Sequence, residues 1–503
     1  MNISLKKNIF GAFIFASVIF IIWLTTRYFP VEPDVANSPL VWREYATKGL
    51  SAINELNPTI DNWYFTVYPL HFLVFSLLGG DGLIPLRITS ALFCISIAVF
   101  GMLIVKRGFG YSSGIVTLCL LTLMPAFGYT FGFMAHPFSH NSTNAFGIVC
   151  LFILLINVNI KSFILTMLVS IVSLLAAVSD PWYIASFFIP MFLSYAVLCI
   201  FDKKLILHSV LLLIACIIAL SNIVQLYLGI PPHVLTIVSL SEMVVNIKWC
   251  VILIGKGLNL FFIENDYTAI ASFVCWVLAM VLAAFVLLNK NNERRLLVIF
   301  AFLSITGITS SFIITYQSPG YISARFFMNV TCFVLMMCGA ATSSKFKYIF
   351  IFLAVLFVAS SLNSYKTYQA PLHNQSESVY NFIDFLNKNN LHYGYGSFWD
   401  KSVTVNWLSG GRTHITPVFF NPQNGFIDFK SVRQQTMASW HSDEAFKTAP
   451  ERQFIIVSTA ADGERCLEMD SCIAGIIKQV GAPDQILIYN DDRILVFDRR
   501  INI

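Results

Sequence analysis

The chain has 503 residues, 57% of them hydrophobic and only 12% charged, with 46 Phe and a mean hydropathy of +0.72. Soluble globular proteins carry charge on about a quarter of their residues, so this composition excludes an ordinary water-soluble enzyme and describes an integral membrane protein. The net charge of +5 gives no sign of a nucleic-acid partner.

Charge is unevenly spread. Residues 363–503 hold 13 Lys and Arg with 15 Asp and Glu, whereas residues 1–362 hold 19 and 12. The chain therefore reads as a membrane module, 1–362, followed by a domain in water, 363–503.

Met1 to Lys7 is a short basic start to an apolar run over about 9–26. No small-residue cleavage site precedes Arg27, so this run reads as an uncleaved first helix. Roughly 20 apolar residues span a bilayer, and a charge at its centre costs about 2.5–3.5 kcal/mol. Charge-free runs therefore count as spans, and there are about eleven. After the first they lie near 84–105, 109–131, 143–160, 162–178, 183–201, 205–227, 268–288, 296–316, 323–342 and 346–362. Basic residues at the turns set orientation. With the amino terminus in the cytoplasm, twelve of the nineteen fall inside, among them Lys106, Arg107, Lys161, Lys203, Lys204, Lys290, Arg294 and Arg295. The C-terminal domain is then outside. All acids of the membrane module except Asp202 and Glu293 fall on that outer side as well.

The first outer loop, 27–83, is too long for a mere connection and carries amphipathic stretches such as 40–56, which suit the membrane surface. The second, 228–267, mixes Pro231 and Pro232 with apolar residues and isolated charges, and reads as surface-lying or re-entrant. The tail reads as a small α/β domain. It has a helical pattern at 376–389 and strand-like runs at 454–458, 485–489 and 494–497, the last two joined by the turn Asn490-Asp491-Asp492-Arg493. No Gly-rich phosphate loop is present. Most of the 11 Cys lie in spans as small buried hydrophobes. Cys466 and Cys472, close together in the tail, would pair in an oxidising compartment, but spacing alone leaves that bridge open.

Five places carry candidate chemistry. Asp34, in Val31-Glu32-Pro33-Asp34, follows the first helix at the outer surface, where a carboxylate can act as general base on an acceptor hydroxyl; a solvated loop acid is the structural alternative. The run from Asp61 to His71 holds one acid, one His and several aromatic rings, including Tyr64. It suits either an interfacial aromatic belt or a sugar-stacking site. His136 and His140 flank Pro137 at a span junction, as substrate contacts or as a hydrated helix start. Asp180, in Ser179-Asp180-Pro181-Trp182, is isolated between spans; it caps a helix or faces substrate or metal. Arg325 is the lone basic residue of its loop, suited to bidentate phosphate recognition or to snorkelling.

In this order, YFTVYPLHF, AHPFSHNST, SDPW and ISARF, with YGYGSFWD and ILIYNDDRILVFD in the tail, resemble the GT-C superfamily of multispanning glycosyltransferases. That superfamily includes protein mannosyltransferases, oligosaccharyltransferase catalytic subunits and lipid A aminoarabinose transferases. More closely, these stretches look like bacterial GT-C-like membrane proteins, the serotype-converting glucosyltransferases among them. The resemblance implies a GT-C-like polytopic fold in a bacterial inner membrane with a periplasmic C-terminal α/β domain. It also implies a polyprenyl-phosphate sugar donor, a glycan or lipid-linked acceptor, and inverting transfer. By position Asp34 matches the first-loop catalytic acid, and Asp61 competes because the adjacent acidic pair of many members is missing here. Arg325 would neutralise the leaving phosphate. Asp180 or His136 would shape the site or bind a divalent metal if one is used, and no other cofactor is evident. The competing readings are a transporter, against which no inverted repeat or paired Gly and Pro breaks stand out, and an O-antigen polymerase or ligase.

Overall fold

The computed structural model describes residues 3–288, 291–368 and 372–503. Met1, Asn2 and Lys290, the last used in the orientation argument, lie outside them. By its contacts the chain forms two units. One comprises Met1–Phe29, Ile60–Leu73 and Leu86–Ala370; the other comprises Pro30–Thr59, Val74–Pro85 and Pro371–Ile503.

The first unit is helical throughout, the arrangement that satisfies every backbone group in lipid. Among the described residues, eight helices are long and apolar enough to cross a membrane, from Phe10–Arg27 to Lys347–Thr367, and shorter apolar helices such as Phe163–Ser179 and Ile184–Leu198 lie between them. Each of the eleven expected runs contains helix. Two are interrupted. The run over 109–131 stops after Tyr111–Thr122 and restarts beyond Pro125 as Ala126–Thr130. That over 205–227 stops at Leu220, where Asn222 takes a left-handed conformation (φ 55°). Residues 228–267 contain an 18-residue helix, Leu240–Gly257, started by a capping box of Ser239 and Glu242. Asn246 Nδ2 donates to the carbonyl of Tyr316 at 2.8 Å, just past the carboxyl end of Asn292–Thr315. Gly255 meets the amino end of Asp266–Leu287 so closely that a Cβ would lie 2.0 Å from the Ala269 oxygen. The helix therefore packs against both Asp266–Leu287 and Asn292–Thr315.

Charges collect at opposite ends of this unit. At one end Arg107 pairs with Glu293 (2.8 Å) and Lys161 with Asp202 (2.7 Å), while Arg295 covers Phe201 and Arg294 donates to the Gly108 carbonyl. Both acids assigned to the inner side are thus paired with bases assigned to it. Asp61, His140, Asp180 and Arg325 gather at the other end.

The second unit is built on a sheet. Its strands are β1 (Tyr393–Gly396), β2 (His414–Pro417), β5 (Gln453–Val457), β6 (Gln485–Tyr489) and β7 (Asp492–Phe497), in the order β2-β1-β5-β7-β6; β3 (Phe419–Phe420) and β4 (Ile427–Asp428) form a separate pair. β1 is parallel to β2 and β5, and β7 is antiparallel to β5 and β6. Alternating side chains bury both faces. Tyr395, Ile455, Val457, Leu495 and Phe497 face one way with Ile476; Phe454, Ile456, Ile494 and Val496 face the other with Phe382 and Leu386. The last hairpin is tighter than the four-residue turn expected. Asp492 already pairs with Tyr489, leaving Asn490 and Asp491 as the turn, with Asn490 left-handed (φ 52°). Cys466 and Cys472 form a disulfide, their Cα atoms 6.1 Å apart.

Parts of the first loop pack within this second unit. Arg43 on the helix Pro33–Lys48 makes a two-pronged pair with Asp81 (2.6 and 3.1 Å) and donates to the carbonyls of Asn406 and Trp407, both at 2.8 Å. Contacts therefore place 30–59 and 74–85 with the tail, where charge alone draws a single boundary at 362. Asp34 sits in the first turn of Pro33–Lys48, where the helix dipole favours a carboxylate.

Candidate functional site

The site of the first unit starts from a staple. Asn62 Nδ2 donates to the Val178 carbonyl (2.8 Å), Trp63 N–H to the Ser179 carbonyl (3.2 Å) and Phe65 N–H to Ser179 Oγ (2.9 Å). The loop after Ile60 is thereby fixed to the carboxyl end of Phe163–Ser179. Trp63 is held at φ 60°, a conformation bulky residues rarely adopt. This brings Asp61 beside Asp180.

Asp180 is fully buried and accepts from three donors. His140 Nδ1 (2.7 Å) and Thr143 Oγ1 (2.5 Å) meet Oδ2, and the Trp182 N–H meets Oδ1 at 3.1 Å. His140 opens the helix His140–Ile160, capped by Ser139, and Thr143 lies one turn on along the same face. Burial works to raise the Asp180 carboxyl, but His140, Thr143 and the Trp182 N–H together hold it below the usual carboxylate range. Asp180 thus both closes the turn into the next helix and orients His140. Asp61, half-buried, responds oppositely: burial raises its carboxyl, the Asp180 charge adds to the rise, and His140 and Arg325 oppose it.

Arg325 lies on a short 3₁₀ helix, Tyr321–Phe327. Its guanidinium stands 5.0 Å from the Phe326 ring and 5.9 Å from that of Phe133. Its Nε is buried and has no hydrogen-bond partner among the described residues. A cationic fork with an unmet buried donor, in the field of Asp61, suits an anionic ligand. Phe326 in turn packs on His140 (4.6 Å) and Trp182 (4.2 Å).

The remaining expected residues form an aromatic wall. Phe138 is touched by Tyr68 (5.5 Å) and by the fully buried His71 (5.4 Å), and Tyr64 lies against Tyr68. His136 Nδ1 accepts from the Phe138 N–H at 3.0 Å, and its ring stacks on Phe133. The structure thus assembles Asp61, Tyr64, His71, His136, His140, Asp180 and Arg325 within one unit; Asp34 belongs to the other. Thr143, Trp182 and Phe326 were not anticipated, although Thr143 carries a signal in its spacing from His140. The donors around Asp180 are met by hydrogen bonds, which suits a positioned His–Asp pair.

Trp182 also borders a largely apolar groove of about 710 Å³, lined with it by Ile184, Ala185, Leu235, Gly307 and Tyr316 among others. A π-helical turn, Ile184–Phe188, forms part of its wall, and Gly307 lets the Ala185 carbonyl approach, since a Cβ there would lie 2.3 Å from that oxygen. Trp182 and Tyr316 face the groove and also pack on Phe326, the neighbour of Arg325.

No protein-family model matches the sequence, and no curated protein matches it. Two crystal structures of ArnT from Cupriavidus metallidurans, one bound to undecaprenyl phosphate and one apo, do match. Each is 10% identical with a TM-score of 0.56, and the matches cover 97% and 98% of this chain and the same shares of theirs. The chain has the GT-C fold of ArnT. The Archaeoglobus fulgidus oligosaccharyltransferase in its apo form is similar at 11% identity and a TM-score of 0.49, over 88% of this chain and 69% of that one. On the ArnT matches, the multispanning GT-C architecture with a small C-terminal sheet domain is the one expected from the motifs. A shared fold does not carry a reaction with it.

Proposed function

We propose that the protein is an inverting glycosyltransferase that moves a sugar from a polyprenyl-phosphate carrier to a hydroxyl of a glycan or lipid-linked acceptor. In this reading the site faces the outer side of a bacterial cytoplasmic membrane, with the tail domain in the periplasm. The observation that carries it is Arg325, a half-buried guanidinium with an unmet Nε–H in the field of a carboxylate, whose neighbour Phe326 packs on two residues of an apolar groove. A phosphate satisfies the guanidinium and a hydrocarbon chain suits the groove, a combination that a polyprenyl phosphate supplies. The ArnT structure with undecaprenyl phosphate supports this choice of ligand for the same fold.

The acceptor oxygen attacks the anomeric carbon as the bond from that carbon to the phosphate oxygen breaks. Charge develops on the leaving phosphate, where Arg325 is already placed to meet it. A first-loop carboxylate takes the acceptor proton: Asp34 on the resemblance, Asp61 on the geometry, since Asp61 stands in the field of Arg325, His140 and Asp180. The Asp180–His140 pair fixes one imidazole tautomer at the wall of the site. Membranes containing the protein should move radiolabelled hexose from a polyprenyl-phosphate hexose to the glycan fraction, and surface glycans from cells with and without the protein should differ by one sugar. Unchanged glycans, together with label that stays on the donor for every hexose tried, would overturn the proposal.

A further inference from the structure

The second unit holds a polar cluster that the transfer chemistry does not use. β1 lies between two parallel neighbours, and the chain passes from β1 to β2 on one side and later to β5 on the other. The loops that follow β1 and β5 therefore diverge at the carboxyl edge of the sheet, the switch point where open α/β sheets bind ligands. The loop after β1 brings Ser397, Asp400 and Lys401 to this edge, the loop after β5 brings Ser458, and β7, running the other way, begins there with Asp492.

Several of these groups are buried with few partners. Ser397 is 1% exposed, Ser458 is 8% exposed and the Asp400 side chain 7%. Among the described residues Ser397 Oγ lacks a hydrogen-bond partner, which native structures seldom tolerate without a ligand or water, and the buried Asp400 carboxyl has Ser458 as its side-chain hydrogen-bond partner. The charge balance limits what they would bind. Lys401 Nζ lies 3.0 Å from Asp492 Oδ2 and 4.0 Å from Asp400 Oδ1, so an added cation would compete with the ammonium. An added anion would meet two carboxylates, and Arg465, whose field also reaches Asp400, is already paired with Asp462 at 2.7 Å. A neutral polyol avoids both conflicts, because its hydroxyls donate to the carboxylate and exchange hydrogen bonds with the serines. Trp399, adjacent to Asp400 and 41% exposed, has the Arg433 guanidinium 5.1 Å from its ring centroid, and its remaining exposed surface suits the apolar face of a pyranose. Phe398 beside it is already covered by the Arg433 guanidinium at 3.6 Å.

We infer that this edge of the tail sheet is a saccharide subsite for one ring of the acceptor glycan, with Trp399 stacking on the sugar and Asp400, Ser397 and Ser458 taking its hydroxyls. That the sugar belongs to an acceptor rests on the transferase reading; the site itself does not.

Full-length protein in nanodiscs, observed by saturation-transfer difference NMR with the methyl glycosides of glucose, galactose, mannose, rhamnose and N-acetylglucosamine, tests this. At least one glycoside should bind saturably. Trp399→Ala and Ser458→Ala should weaken it tenfold or more with thermal unfolding unchanged, while Arg325→Ala binds it as the native protein does. Saturable binding without any transfer activity would remove the acceptor assignment and leave the site standing. No binding across the panel, or equal binding by Trp399→Ala, would overturn the site. So would calcium binding that Asp400→Asn abolishes, since that would mark a cation site.

Discussion

Arg325→Met should separate activity from stability. In the folded protein the guanidinium gains from two ring contacts, at 5.0 and 5.9 Å, worth about 0.5–1 kcal/mol each. Against this, its buried Nε–H goes unmet, at a cost of about 1–3 kcal/mol. Methionine gives up both terms and keeps the length of the side chain, so unfolding in detergent should shift by no more than about 1 kcal/mol in either direction. Transfer should fall by about 10²–10³, the usual effect of removing one donor from developing charge. Arg325→Lys keeps the charge without the fork and should lie between. The assay pairs initial rates of sugar transfer at saturating donor with thermal unfolding followed by tryptophan fluorescence. A methionine variant that transfers sugar at the native rate would refute the phosphate role. So would one that loses activity only in proportion to a stability loss above about 2 kcal/mol, because the arginine would then be structural.

Asp180→Ala removes the acceptor shared by His140, Thr143 and the Trp182 N–H in a fully buried site. It should cost about 3–5 kcal/mol in unfolding measurements, whereas Thr143→Val, which loses one of those bonds, should cost about 1 kcal/mol. The Cys466–Cys472 bridge closes a short loop, with a sequence separation of 6. Replacing both cysteines with serine should destabilise the tail by about 2 kcal/mol on chain-entropy grounds, read as a lower urea midpoint. Burial holds His414 neutral down to a pKa of about 4, with Glu44 opposing and His441 adding to the effect. Unfolded chains take that proton near pH 6.5. Tail stability should therefore be complete above about 6.5 and fall as pH drops towards 4, by about 3 kcal/mol at the foot of that window. Trp440, 5.1 Å away, reports the transition, and His414→Asn should flatten it.

The spans were readable because lipid leaves few alternatives for long apolar runs. The strands β5, β6 and β7 were readable because Phe454 to Val457 and Ile494 to Phe497 carry the β-branched and aromatic residues of a buried sheet. Tyr393-Gly394-Tyr395-Gly396 and His414-Ile415-Thr416-Pro417 gave no such signal. They are strands because a neighbour demands it: Gly394 meets Phe454 so closely that a Cβ would lie 2.6 Å from its oxygen. In the site, Asp61, His140, Asp180 and Arg325 drew notice as isolated polar groups beside spans, where polarity is costly. Their grouping was not readable, since it depends on Ser179 and Val178 catching a loop from much earlier in the chain.

That catch also sets a clock on synthesis. Asn62 and its partner Val178 are 116 residues apart, and at about 5–20 residues per second the loop is made roughly 6–23 s before the backbone that holds it. Trp63 and Phe65 must wait through that interval without their partners, and Arg325 arrives later still. The site is thus among the last parts of the first unit to close. A ribosome stall between the first and fourth long spans would release chains that are inserted yet inert.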